Sequence, residues 1–307
     1  MTRNGLLAYA AQIGGVSAVF AAAARMIALW EQSGYTARGY TAADTLDLVS
    51  SAVTIAAFAV AWAGFQRVAR QRRLEALSVA AGLFAAGAAA AGLADLIRTA
   101  ESISLGAAWK FTATETAWTA GRVALVAAAV LVVVGLRNGA SDAELGRASL
   151  AVAAYAGLFA AAYGFELTEV ISFPAPFSPS GEATGGLGLI AGGWVVVAVA
   201  AVLAAAALYD AGVRRARGEA WRSLREGMLA RSAVVFAAGF AVSAAGFMLY
   251  TRYGRGAEQW LEGFSQLGLA AAAGCAAVAF LGSRRRILQR GLEQSDGSDL
   301  AVLSDPG

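Results

Sequence analysis

The 307-residue chain contains no histidine at all. That removes histidine-ligated haem, most zinc and copper sites, Ser-His-Asp triads and imidazole proton switches. A single cysteine, Cys275, excludes an intrachain disulfide and says nothing about redox compartment. Lys110 is the only lysine. It falls in a connection rather than in mid-helix, which argues against a retinal Schiff base. Charge is scarce too: 15% of residues are Asp, Glu, Lys or Arg, against about a quarter in a soluble domain. The net charge of +3 is not gathered on one solvated stripe, so nucleic acid is not an expected partner. No cofactor is expected.

What the chain has in abundance is apolar length. It is 58% hydrophobic, with a mean hydropathy of +0.59. A helix needs about 20 mostly apolar residues to cross a bilayer. Eight segments qualify: Leu6–Trp30, Leu46–Phe65, Ala76–Ile97, Ala117–Leu136, Ala148–Val170, Leu187–Leu208, Ser232–Tyr250 and Phe264–Leu281. Their runs are too long and too unalternating for barrel strands, and lipid admits only helices or closed barrels. The expected fold is all-α, a polytopic, multi-pass transmembrane helix bundle in the cell membrane. Residues 1–290 form one domain, with halves at 1–147 and 148–290, and residues 291–307 form a polar, disordered tail. The first segment also fits a cleaved signal peptide by its Arg3, apolar stretch and alanine-rich end. Its length favours a retained span.

Basic residues set the orientation. Seventeen of the 24 lie in alternate connections: Arg3, then Arg67 to Arg73, Arg137 and Arg147, Arg214 to Arg231, and Arg284 to Arg290. Both termini are therefore expected in the cytoplasm. Trp30, Tyr35, Tyr40, Trp109, Trp118, Tyr250, Tyr253 and Trp260 fall near the opposite boundary, where amphipathic rings anchor.

An internal repeat suggests four helical hairpins. Phe-Ala-Ala recurs at Phe20, Phe84, Phe159 and Phe236. An acid follows ten or eleven residues later in three of these, at Glu31, Asp95 and Glu169, with Phe247 in the fourth. Such hairpins would be parallel repeats about an axis normal to the membrane.

Charges inside spans are costly and mark candidate sites. Counting about 1.5 Å per residue puts Arg25, Asp47, Asp95, Glu166 and Arg252 near the outer edge of the hydrocarbon. Arg122 lies deepest, about 21 Å into a core of about 30 Å. With Arg98, Glu115 and Glu169 these define an outward-facing charged pocket over a dry inner half. Arg98 can pair with Asp95 and Glu101 at i−3 and i+3. Glu166 and Glu169 share a helix face. Paired carboxylates suit acid–base work or cation binding, and equally suit neutralising arginines of neighbouring helices. The deep Arg122 calls for an acid from another helix, with Glu166 or Asp95 nearest in depth.

Other features carry less. Gly188 with Gly192, and Gly239 with Ser243, give small-xxx-small pairs that permit close helix approach. The glycine-rich run from Gly185 lacks GxGxxG after a strand, which excludes nucleotide binding. Cys275 reads as a buried, inert thiol. Residues Ala216 to Leu229, with Trp221, form a basic loop or an interfacial helix touching anionic lipid. Three functions compete: a non-catalytic membrane-complex subunit or ligand sensor, a permease for a small solute, and, more weakly, an enzyme acting on a lipid-linked substrate through Glu166 and Glu169. The partners these imply are the lipid bilayer, other membrane subunits and a small ligand.

Overall fold

A computed structural model describes residues 2–35, 42–66, 69–139, 142–172, 180–213, 218–250 and 256–302. They form eight helices: α1 Arg3–Tyr35, α2 Ala42–Phe65, α3 Arg70–Ser104, α4 Trp109–Arg137, α5 Asp142–Ser172, α6 Ser180–Val213, α7 Gly218–Tyr250 and α8 Gly256–Val302. All eight are long and apolar enough to cross a membrane. The chain is an all-α, eight-span transmembrane bundle.

The helices outrun the apolar segments at both ends. Lipid demands apolarity only within its hydrocarbon core, whereas backbone hydrogen bonding continues into the polar zones. α7 begins at Gly218, so most of the stretch expected as a loop or interfacial helix is simply the first turns of a span. α8 starts at Gly256, eight residues before the expected Phe264. It also runs to Val302, past Arg290, where a disordered tail is expected. Leu292, Glu293 and Gln294 favour helix, and no proline follows until Pro306.

Each helix packs on the next in the chain, and α8 packs back on α1. The result is a closed ring of alternating helices with no helix through its middle among the described residues. We call the end at which α1 begins proximal and the opposite end distal.

Hydrocarbon supplies no hydrophobic drive between helices, so seams depend on close packing. The α6–α7 seam brings backbone against backbone. A Cβ on Gly193 would lie 2.6 Å from the Gly239 carbonyl oxygen, and one on Gly246 would lie 2.7 Å from that of Gly186. The backbones touch where glycines face each other, and the buried Ser232 hydroxyl donates to the Ala200 carbonyl at 2.7 Å across the same seam. Of the two pairs expected from the sequence, Gly239 and Ser243 line this seam, whereas Gly188 and Gly192 face open space. Gly186 and Gly193, two turns apart, hold the contact instead. Aromatic rings fill the neighbouring interior: Phe159 lies 4.3 Å from Trp118 and 5.3 Å from Trp194, and Trp194 lies 5.9 Å from Phe240.

The proximal end is laced by ion pairs that skip helices. Arg3 of α1 donates to Glu226 of α7 at 3.1 Å, and Arg225 of α7 reaches Asp142 of α5 at 3.1 Å. Arg225 also lies 3.7 Å from Glu226, whose side chain is 2% exposed. These side chains lie just outside the apolar segments expected from the sequence, so the stretch without ionisable groups sits between them and the distal charges. Glu226 falls before the apolar segment of α7 and so escapes a hydropathy reading.

Candidate functional site

The distal half of the ring gathers charge from six helices. Arg98 on α3 is the hub of one side. Its Nη2 bonds Asp47 of α2 at 2.5 Å and lies 3.6 Å from Asp44, while its Nη1 bonds Asp95, one turn back, at 3.3 Å. One guanidinium thus serves three carboxylates, using the fork of donors that lysine lacks. Glu101, the other expected partner of Arg98, is exposed and forms no ion pair with it among the described residues.

Asp95 also faces Arg122 of α4, with 3.6 Å between Oδ2 and Nε. That is an ion pair too long for a hydrogen bond, and both atoms are buried without a hydrogen-bond partner. The Arg122 guanidinium lies 4.8 Å from the centre of the Phe159 ring, a cation–π contact. Gly92 makes the room: a Cβ there would lie 3.1 Å from Cβ of Arg122. Of the two partners expected for Arg122, the structure selects Asp95. Glu166 forms no ion pair among the described residues. It lies instead within electrostatic reach of Glu115 and Glu169, all acids.

The other side comes from α1, α5 and α8. Arg25 donates to Ser51 of α2 at 2.6 Å, and Ser51 donates to the Asp47 carbonyl at 3.0 Å. No carboxylate pairs with Arg25 within 4.0 Å among the described residues. On the neighbouring α8, Glu262 lies within electrostatic reach of both Arg25 and Arg122. Tyr155 of α5 is reached by Arg122, Arg25, Asp95 and Glu262. Side chains of α1, α3, α4, α5 and α8 therefore converge on one interior. Tyr155 also stacks near the floor, 4.4 Å from Phe159 and 5.6 Å from Trp194.

Several buried polar atoms in this half make no hydrogen bond: Trp194 Nε1, Ser243 Oγ, Gln259 Oε1 and Gln266 Oε1, beside those of Asp95 and Arg122. Buried polar groups are normally satisfied. Asp95 Oδ2 and Arg122 Nε, an acceptor and a donor side by side without a hydrogen-bond partner, make this interior suited to a polar occupant.

The structure therefore brings together Arg25, Asp47, Asp95, Arg98 and Arg122. Glu115 lies within electrostatic reach of Arg98, Asp95 and Asp47 and links them to Glu166 and Glu169 on the α4–α5 side, and Arg252 lies outside the described residues. Lys110, expected in a connection, is the second residue of α4 and ties it to α5 by donating to Ser172 at 2.6 Å. Trp118 packs inward between Phe159 and Tyr163 rather than anchoring in lipid, whereas Trp30, Trp109 and Trp260 are exposed. Cys275 is partly exposed rather than buried.

Sequence reading missed Glu262 and Tyr155. Glu258, Glu262 and Gln266 recur at i, i+4 and i+8, a stripe on one helix face. Starting the last span at Phe264 had put the two acids in a loop. No cluster of three or more metal-ligating side chains occurs among the described residues. No protein-family model, curated protein or solved structure matches the chain.

Proposed function

We propose that this membrane protein is a non-catalytic binding protein that holds a small solute of mixed charge inside the ring, near its distal end. The observation that carries this is the convergence of Arg25, Arg122, Asp95, Tyr155 and Glu262 from five helices on one interior. Arg25 has no carboxylate partner among the described residues, so it is free to hold an anionic group. Glu262 forms no ion pair or hydrogen bond among them and offers the opposite sign. A charge left unpaired in hydrocarbon costs at least about 2.5 kcal/mol, and a zwitterion between the two groups offsets that cost on both sides. Aromatic and hydroxyl groups at the floor add shape and a few directed hydrogen bonds, as small-molecule sites require.

The test is a thermal-shift panel of free amino acids and small carboxylates on purified protein. A ligand at a hundred times its Kd stabilises by about 2.7 kcal/mol. At least one compound should raise the midpoint of the wild type and fail to raise that of Arg25→Gln and of Glu262→Gln. Neither residue holds the fold through an ion pair, so both variants should remain folded. A panel without a hit, or hits that survive both substitutions, would refute the reading.

A permease is the second reading, favoured by the ring's lack of a central helix. The proximal chain of Arg3, Glu226, Arg225 and Asp142 would then be the closed inner end of the path. Uptake of the bound compound into proteoliposomes distinguishes transport from binding alone.

We place both termini in the cytoplasm, because arginines crowd the proximal connections. A reporter active only outside the membrane should be silent when fused to the C-terminus. Activity there would reverse the topology.

A further inference from the structure

At the proximal end, away from the distal site, the start of α1 and the last turns of the α8 span flank an open cleft of about 310 Å³. Its polar lining is Thr2, Arg3, Asn4, Ser283, Arg286 and Arg290, with no acid among them. We propose that this cleft binds a phosphate-bearing anion, either a soluble phosphomonoester or the headgroup of an anionic phospholipid.

Arg286 and Arg290 bring most of the positive charge of the cleft. They stand four residues apart on one face of α8, where like charges repel. Neither has a carboxylate within 4.0 Å among the described residues, and Arg286 spends only its Nε, on the Gly282 carbonyl at 3.2 Å. Arg3 is different. One of its nitrogens is held by the buried Glu226, and its guanidinium lies 5.2 Å from the Phe280 ring, so it is fixed in place at the edge of the cleft. A fixed guanidinium beside two free ones, with hydroxyl and amide groups between, provides many N–H and O–H donors on a concave surface. Phosphate oxygens take such forked donors in pairs, which a carboxylate can do only once. The start of α1 adds its positive dipole end to the same side. The volume exceeds that of inorganic phosphate and leaves room for an ester group.

The cleft does not depend on the distal site, so its test is separate. Purified full-length protein is titrated with inorganic phosphate and with glycerol 3-phosphate in detergent, following the thermal midpoint. In parallel, it is reconstituted into nanodiscs of phosphatidylcholine alone or with phosphatidylglycerol, and lipid retained on extraction is counted by native mass spectrometry. The comparison is Arg286→Gln/Arg290→Gln, with Arg285→Gln as control. Arg285 carries the same charge next door, is exposed, and does not line the cleft.

Tenfold or greater weakening in the double variant, with less than twofold change in the control, is expected in one arm. Response to the soluble esters assigns a soluble ligand, and selective retention of phosphatidylglycerol assigns the lipid. The proposal is overturned if wild type responds in neither arm, or if Arg285→Gln loses as much as the double variant. The second result would mean that general positive charge, not the cleft, attracts the anion.

Discussion

Gly193→Val is expected to lower the thermal midpoint of the detergent-solubilised protein by many degrees, while Gly188→Ala and Gly192→Ala leave it unchanged or raise it. The asymmetry follows from what each new side chain meets. At Gly193 the first added carbon already falls 2.6 Å from a backbone oxygen of α7 and 2.7 Å from the Ser243 nitrogen. Backbone does not swing aside as a side chain tip does, so α6 and α7 must separate. Overpacking of this kind costs about 1–3 kcal/mol for a small insertion and more for a branched one. Separation would also weaken the Ser232–Ala200 hydrogen bond and loosen Trp194 against Phe240. Gly188 and Gly192 face nothing within 4 Å, and replacing a helical glycine by alanine gains up to about 1 kcal/mol in helix propensity. Gly246→Ala, facing the Gly186 carbonyl, should behave like Gly193→Ala. Equal midpoints for Gly193→Ala and Gly188→Ala would show that the seam is not set by these glycines.

That contrast shows where a sequence stops informing. The eight spans were legible because hydrocarbon imposes one composition on every span, whatever its neighbours. Which face of a span meets a neighbour was legible only in part: Gly239 and Ser243 do face α6, whereas Gly188 and Gly192 face open space. In a chain this rich in alanine and glycine, small residues occur on every face, so Gly188 with Gly192 reads as well as Gly186 with Gly193. Only the position of α7 decides between them. Closure of α8 onto α1 was hidden for the same reason. Depth, by contrast, could be counted along a helix, and although it put Arg122 deeper than Asp95 it left Asp95 among the acids nearest in level, and the two do pair. Depth alone ranked Glu166 equally, because the direction around the helix axis is what separates α3 from α5. The acids Glu258 and Glu262 were lost for another reason. A hydropathy reading trims charged turns from the end of a span, and those turns are the ones that face into the ring. Gly92 was a usable clue left unread: a glycine on α3 one turn before Asp95 marks the place where a bulky side chain of α4 must pass.

Asp95→Asn is expected to destabilise the protein more than Arg122→Leu, and the two losses should not add. The structure sets this order. When Arg122 is replaced by leucine, Asp95 keeps Arg98 at 3.3 Å, so its charge is still paired. When Asp95 loses its charge, Arg122 keeps the face of Phe159 and only the more distant field of Glu262, since no other ion pair of Arg122 within 4.0 Å occurs among the described residues. A guanidinium in a span without a counter-charge costs at least about 2.5 kcal/mol, and breaking a buried pair by removing one partner costs about 3–5 kcal/mol. In Arg122→Leu/Asp95→Asn the uncompensated charge disappears, leaving Arg98 with Asp44 and Asp47. The double variant should therefore recover part of the loss of Asp95→Asn, with a coupling energy of about 1–3 kcal/mol. Glu166→Gln serves as the comparison, because it is as deep as Asp95 but pairs with no base among the described residues. Its effect should add to that of Arg122→Leu within about 0.5 kcal/mol. Unfolding midpoints in detergent for the five variants complete the cycle. Additivity between Arg122→Leu and Asp95→Asn, or coupling of Arg122 to Glu166 instead, would remove the pair from the architecture and leave Arg122 as a second unpaired guanidinium in the ring, beside Arg25.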